Sequence, residues 1–179
     1  MGYSFDQVFR AEYAPLRAYL YKRLGNPLAE ELAAETFAIA YRRWDDLDSS
    51  RPVRPWLYGI SANLLSHHWR KEHRRLRALA RSGPEPVRAE DEAAVERADA
   101  QTQKRALAAA LAELRPDDRE VLLLHAWGYL ADAEIAEALS VPIGTVKSRL
   151  HRAREQMENL LGATGQVTVT DDLIPTVEQ

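Results

Sequence analysis

Between positions 145 and 152 the chain reads Thr145-Val146-Lys147-Ser148-Arg149-Leu150-His151-Arg152. Helical spacing gathers Val146, Leu150, Ala153 and Met157 into one apolar face, so Lys147, Ser148, Arg149, His151, Arg152 and Arg154 mostly point outward. Donors of this kind suit a polyanion with readable edges. Arg and Lys can pair with guanine in the DNA major groove, while Ser and Thr contact phosphate or either base type. Gly144 and Thr145 keep the start of this helix slim, and its free N–H groups face phosphate. One turn earlier, Glu134-Ile135-Ala136-Glu137-Ala138-Leu139 forms a short apolar helix, and Ser140-Val141-Pro142 is a tight corner with Pro142 at or near the next helical start. Helix, corner and basic helix make a helix-turn-helix whose second helix lies in a major groove. Thr145, Lys147, Ser148, Arg149, His151 and Arg152 are its expected DNA contacts.

A second basic run lies at positions 67–81, where Arg70, Lys71, Arg74, Arg75, Arg77 and Arg81 stand against a single acid, Glu72. Acids then dominate positions 82–103, with Glu85, Glu90, Asp91, Glu92, Glu96 and Asp99 against Arg88 and Arg97. Two basic patches with an acidic spacer suggest two grips on one polyanion and a linker repelled from it, although simple solvation also explains the acids. The net charge of −3 alone argues against DNA binding; the segregation of charge answers that objection.

Other chemistry finds little support. There is no glycine-rich phosphate loop, and no serine or lysine has an evident activating base. His67, His68 and His73 sit in the basic run as surface histidines rather than metal ligands. Glu30, Glu31 and Glu35 lie in the first half of a helix, where they complement its dipole or offer an acidic face to a partner. The sequence therefore implies a non-enzyme with no cofactor, no metal and no small-molecule substrate. The chain has no cysteine, and Met1-Gly2-Tyr3-Ser4-Phe5-Asp6 lacks the layout of a signal peptide. No apolar run approaches the length of a membrane span, so a cytoplasmic protein without direct membrane insertion is expected.

The elements that must position these residues all read as helices. Phe5, Val8, Phe9, Leu16, Leu20 and Leu24 keep helical spacing until Gly25. Asn26 is a natural N-cap with Pro27 following, and Leu28, Leu32, Thr36, Ile39 or Ala40, and Trp44 line the second helix. A polar loop at 45–54 leads to a third helix from about Pro55, with Trp56, Leu57, Ile60, Leu64 and possibly Trp69 on its apolar stripe. Ser82-Gly83-Pro84-Glu85-Pro86 breaks the chain. An Ala-rich helix follows, from about Ala94 or Gln103 to Leu114, then one at about 117–127 before the helix-turn-helix. The expected fold is all-α. It has two small helical domains, at 1–81 and 103–162, joined by a flexible acidic linker at 82–102, with a mobile tail at 163–179.

Several stretches together resemble one family. They are Ala29-Glu30-Glu31-Leu32-Ala33-Ala34-Glu35-Thr36-Phe37, Tyr41-Arg42-Arg43-Trp44, and Arg54-Pro55-Trp56-Leu57-Tyr58-Gly59-Ile60-Ser61-Ala62-Asn63-Leu64 in the first half. In the second half they are Leu114-Arg115-Pro116-Asp117-Asp118-Arg119-Glu120-Val121-Leu122-Leu123-Leu124 and the helix-turn-helix itself. In this order they are similar to an RNA polymerase sigma factor of the sigma-70 family, of the small extracytoplasmic-function (ECF) type, over about residues 5–161. The resemblance implies a subunit that binds core RNA polymerase, directs it to specific promoters and assists DNA melting. It places Glu31, Leu32, Glu35, Phe37 and Ile39 toward core polymerase, with Leu32 and Ile39 also fitting a plain core role. It places Trp56, Asn63, Arg70, Lys71, Arg74 and Arg75 at the proximal promoter element, Trp56 being equally suited to the core. The helix-turn-helix would read the distal element, and an anti-sigma factor is an implied partner.

Three positions depart from the family pattern. Leu130-Ala131-Asp132 lacks the usual capping serine, so Asp132 would cap one position late. Ser140 replaces a common glycine at the corner, and Ala62 replaces an arginine before Asn63. Two other classes share parts of the pattern. A helix-turn-helix regulator would bind promoter DNA tightly without core polymerase. A sigma-mimicking antagonist of an anti-sigma factor would bind no DNA and have no use for Lys147, Arg149, Arg152 and the basic run.

Overall fold

The computed structural model describes residues 4–48, 51–81 and 92–162. Among these, the chain forms seven α-helices and one 3-10 turn, with no strand. They are α1 (Phe5–Leu24), α2 (Leu28–Arg42), the 3-10 turn (Trp44–Asp46), α3 (Val53–Arg81), α4 (Glu92–Glu113), α5 (Pro116–Ala126), α6 (Asp132–Leu139) and α7 (Ile143–Gly162). The all-α expectation holds.

Local chemistry sets most boundaries. Ser4 and Gln7 form a reciprocal cap at the start of α1: each side-chain oxygen accepts the other residue's backbone N–H, at 3.3 and 3.1 Å. Gly25, at φ 73°, closes α1 with its N–H donating to the Tyr21 carbonyl. The second helix begins one residue later than read, at Leu28, with Pro27 in the cap position after a cis Asn26–Pro27 bond. α3 starts at Val53, two residues early, and runs for 29 residues. α5 starts at Pro116, where a proline lacks only an N–H that would have been unpaired. Asp132 is the first residue of α6 and not its cap. Glu134 reaches back instead, accepting the Ala131 N–H at 2.8 Å. Pro142 lies just before α7, its carbonyl accepting the Thr145 N–H at 2.8 Å. Ser140 does take the left-handed conformation, at φ 53°.

The first three helices share a core of Leu16, Tyr19, Leu20, Leu32, Ala33, Phe37, Leu57 and Tyr58. Thr36 is buried among them because its hydroxyl donates to the Leu32 carbonyl at 2.7 Å. The last four helices enclose Leu111, Leu114, Val121, Leu124, Ile135, Val146, Leu150, Ala153 and Met157. The expected inner face of α7 is therefore the observed one. Two aromatic expectations fail. Phe9 is 39% exposed and Trp69 is 42% exposed, because both lie at the edge of their helices' apolar stripes.

The two halves meet across a long seam. α3 packs against α4 and α6, and α4 already begins inside the stretch read as linker. The Arg54 guanidinium donates to the Gly128 carbonyl at 2.8 Å, and Lys22 lies 5.9 Å from the centre of the Tyr129 ring. Gly59 of α3 sits so near α6 that a Cβ there would lie 2.6 Å from the Ala138 carbonyl oxygen. The acidic stretch 82–91 and the tail 163–179 lie outside the described residues.

Candidate nucleic-acid interface

α7 carries the first candidate surface. Its buried face fixes the rotation of the helix, which leaves Lys147, Ser148, His151 and Arg152 exposed and Thr145 partly so. Gly144 opens onto empty space: a Cβ there would meet nothing within 4 Å. A phosphate backbone can come close to that helix start. Arg149 is the exception on this row. Its guanidinium donates to Asp117 at 2.6 Å, with the Arg149 side chain 21% exposed. Arg152 donates to Asp118 at 2.8 Å. Both acids lie in the first turn of α5, where the helix dipole favours negative charge. Arg154 turns inward and meets the His125 ring at 3.1 Å. Burial, and then the Arg154 charge, hold the His125 pKa below its ordinary value.

The second surface runs along α3. Asn63, Ser66, Arg70, Lys71 and Arg74 are exposed, and the Arg70 guanidinium lies 6.0 Å from the centre of the Trp69 ring. Trp69, a possible member of the apolar stripe by its spacing, stands instead on the Asn63–Ser66 side of the helix, and the three line one cleft. Its spacing of three and six residues from Ser66 and Asn63, both polar, is the signal that could have placed it. Trp56 is half-buried, its ring 6.3 Å from that of Trp44, so it belongs largely to the domain's packing. Arg75 is exposed but already engaged. Its guanidinium donates to the carbonyls of Lys22 and Arg23 at 3.1 and 2.8 Å, closing the end of α1.

On α2 the expected polymerase contacts divide. Glu31 and Glu35 are exposed. Leu32 is fully buried and Phe37 is 3% exposed, packed edge-on against Phe5 and Phe9, so neither side chain is available to a partner. Ile39 is half-buried. The correction follows from helix geometry: 32 and 36 share the inward face, while 31 and 35 share the outward one.

Between the two surfaces lies a cleft of about 480 Å³, lined by Asn63, Ser66 and Trp69 of α3, Leu139 to Val141 of the corner, and Arg149 of α7. At its base is a charge cluster that the sequence reading missed. Arg23 donates to Glu72 at 2.7 and 3.1 Å and to Glu120 at 2.8 and 2.7 Å. It also donates to the Tyr19 hydroxyl. Arg119 approaches Glu72 at 3.8 Å. Burial opposes the Arg23 charge, but Glu120, Tyr19 and Glu72 outweigh it and hold its pKa well above the ordinary value. Among the described residues there is no cluster of His, Asp and Glu suited to a metal ion, and no helix is long and apolar enough to cross a membrane.

Comparison with known proteins fits this layout. Residues 8–75 match the family model for sigma-70 region 2, and residues 104–157 match that for sigma-70 region 4. The chain is 32% identical over 155 residues to the ECF RNA polymerase sigma factor SigW of Bacillus subtilis, covering 79% of this chain and 80% of that protein. It is 33% identical over 135 residues to the RNA polymerase sigma-E factor of Streptomyces antibioticus, covering 73% and 71%. Among solved structures it resembles the sigma factor RpoE in complex with the anti-sigma factor NepR from Bartonella quintana. There the TM-score is 0.60 at 25% identity, over 88% of this chain and 96% of that one. CnrH in complex with the cytosolic domain of CnrY shares the fold, with a TM-score of 0.61 at 23% identity, over 89% and 88%. With both regions present in order, this chain belongs to the sigma-70 family of RNA polymerase sigma factors, in its ECF branch.

Proposed function

We propose that this sigma factor divides its work between residues 1–81, which hold core polymerase and the proximal promoter element, and residues 103–162, which read the distal element. The observation that carries the reading is the exposed donor row of α7 beside a basic α3. Glu31 and Glu35 present an acidic face for basic residues on the polymerase. Asn63 and Trp69 offer a polar group and a stacking surface for unpaired bases, and Arg70, Lys71 and Arg74 neutralise phosphate. On α7, Thr145, Lys147, Ser148, His151 and Arg152 meet the distal element directly, while Arg149 exchanges Asp117 for DNA. Linking the two readers on one chain makes the second contact intramolecular, so two weak contacts add to selective binding.

The protein acts as an initiation factor in the cytoplasm and carries no catalytic site of its own. An anti-sigma protein is its regulator, by analogy with the relatives whose structures hold CnrY and NepR. Run-off transcription with purified core polymerase on sheared DNA from the source genome tests the proposal. Discrete transcripts that depend on the added protein are expected. Failure to bind core polymerase or to yield any such transcript rejects it. DNA binding without polymerase would then favour a regulator, and its absence a mimic.

A further inference from the structure

The two ion pairs beside the recognition helix are built in opposite order. In Arg149–Asp117 the acid is the outer member, its side chain 65% exposed against 21% for the arginine. DNA that approaches Arg149 therefore has to displace a carboxylate. In Arg152–Asp118 the arginine is the outer member, its side chain 48% exposed over an acid at 3%. DNA can meet this guanidinium without moving the acid. The bonding differs too. Asp117 accepts from Arg149 through Nη2 at 2.6 Å. Asp118 accepts from both Nε and Nη2 of Arg152, at 3.3 and 2.8 Å, one bond on each carboxylate oxygen. A two-point grip on one edge of a planar fork fixes its orientation. It occupies the inner edge and leaves the outer edge, Nη1 with the second N–H of Nη2, available to DNA. That edge carries the pair of donors that matches O6 and N7 of guanine. Asp118 is itself anchored: it lies in the first turn of α5, where the helix dipole favours its charge. Releasing Arg152 would strand a buried carboxylate, which disfavours the exchange open to Arg149.

We propose that Asp118 is a positioning residue for promoter selection. It stays on Arg152 in the DNA complex and holds the outer edge of that arginine toward a guanine of the distal element. Arg152 then meets DNA already ordered, without the entropy cost of fixing a long side chain at that moment. The pairing is a feature of the folded chain; its use in promoter selection rests on the sigma-factor reading above.

Magnetic resonance of the free protein tests the pairing. The Nε–H signal of Arg152, identified by its loss in Arg152→Ala, should be sharp in the wild type and broadened by exchange with water in Asp118→Ala. Transcription tests its use, with holoenzyme reconstituted on core polymerase. The templates are a promoter recovered by run-off transcription and variants in which each base pair of its distal element is changed singly. Arg152→Ala should lose discrimination at one guanine-bearing base pair by about tenfold or more. Asp118→Ala should lose it several-fold at that same base pair, and the double variant should be no worse than Arg152→Ala. Asp118→Asn, which keeps the shape and one acceptor, should fall between wild type and Asp118→Ala, and serves in its place if the alanine variant does not fold. A broadened Arg152 signal in the wild type, an Asp118 loss spread over all positions, or additive losses in the double variant overturns the proposal. A sharp signal without any polymerase-dependent transcript leaves the pairing intact and rejects the sigma-factor reading, and promoter selection by Asp118 falls with it.

Discussion

Two sets of arginine–carboxylate pairs in this molecule have similar lengths and opposite settings. Arg149–Asp117 and Arg152–Asp118 lie on the flank of the recognition helix, each within one domain, and at least one member of each pair is open to water. Arg23–Glu72 lies in the seam almost without access to water, and Arg23–Glu120 lies at its edge, with the Glu120 side chain 20% exposed. Solvent decides what such a pair can do. At the surface, Arg149 trades its carboxylate for a phosphate or a guanine edge at little cost. In the seam, no replacement can enter until the halves separate, so the same chemistry fixes an arrangement.

The contrast is broken most severely by Glu72→Ala. It leaves Arg23 and Arg119 buried without their shared carboxylate and should cost about 3–5 kcal/mol in urea unfolding. Replacing Arg23 and Glu72 together by methionine should cost much less, since no charge is stranded. An equal loss in both variants would mean that packing, not charge, governs the seam. Arg149→Ala should act in the opposite sense. Stability should change by less than about 1 kcal/mol, while promoter discrimination in run-off transcription falls by about 1–3 kcal/mol. Full discrimination with impaired folding would make Arg149 a structural residue.

Smaller effects sharpen the same comparison. Ser140→Gly relieves a left-handed residue at the corner and should raise the melting temperature, by roughly 1 kcal/mol or less in free energy. No change would mean that Ser140 is unstrained there. The pH dependence is the smallest. His125 has a folded pKa below its unfolded value near 6.5, so the unfolded chain binds more protons as pH falls. The stability it protects is complete above that value and declines below it. Thermal melts between pH 7.5 and 5.5 should show this loss, and His125→Gln should flatten it. His73 shifts in the same direction, through burial first and Arg77 next, and adds to the slope.

The local structure was largely legible from sequence. The α7 stripe of Val146, Leu150, Ala153 and Met157 repeats at helical spacing, and that spacing alone fixes which residues face out. Gly25 announced its positive φ because few residue types suit it, whereas the left-handed turn at Ser140 followed only from the family resemblance. The seam was not legible. Glu72 looked like a lone acid diluting a basic run. Its partner Arg23 is 49 residues away, and Glu120 is 97 from Arg23, with nothing periodic joining them. Leu32 and Phe37 show the converse limit. The resemblance to a family placed a contact on the helix; helical spacing already set Leu32 on the inward face, but the burial of Phe37 emerged only from its packing.

One unbroken helix, α3, carries both Asn63 and Glu72. At 1.5 Å per residue they stand only about 13 Å apart on a single rod. A single rigid rod therefore couples the polar face at Asn63 to the ion cluster at the seam, so a change at either end has a lever on the other.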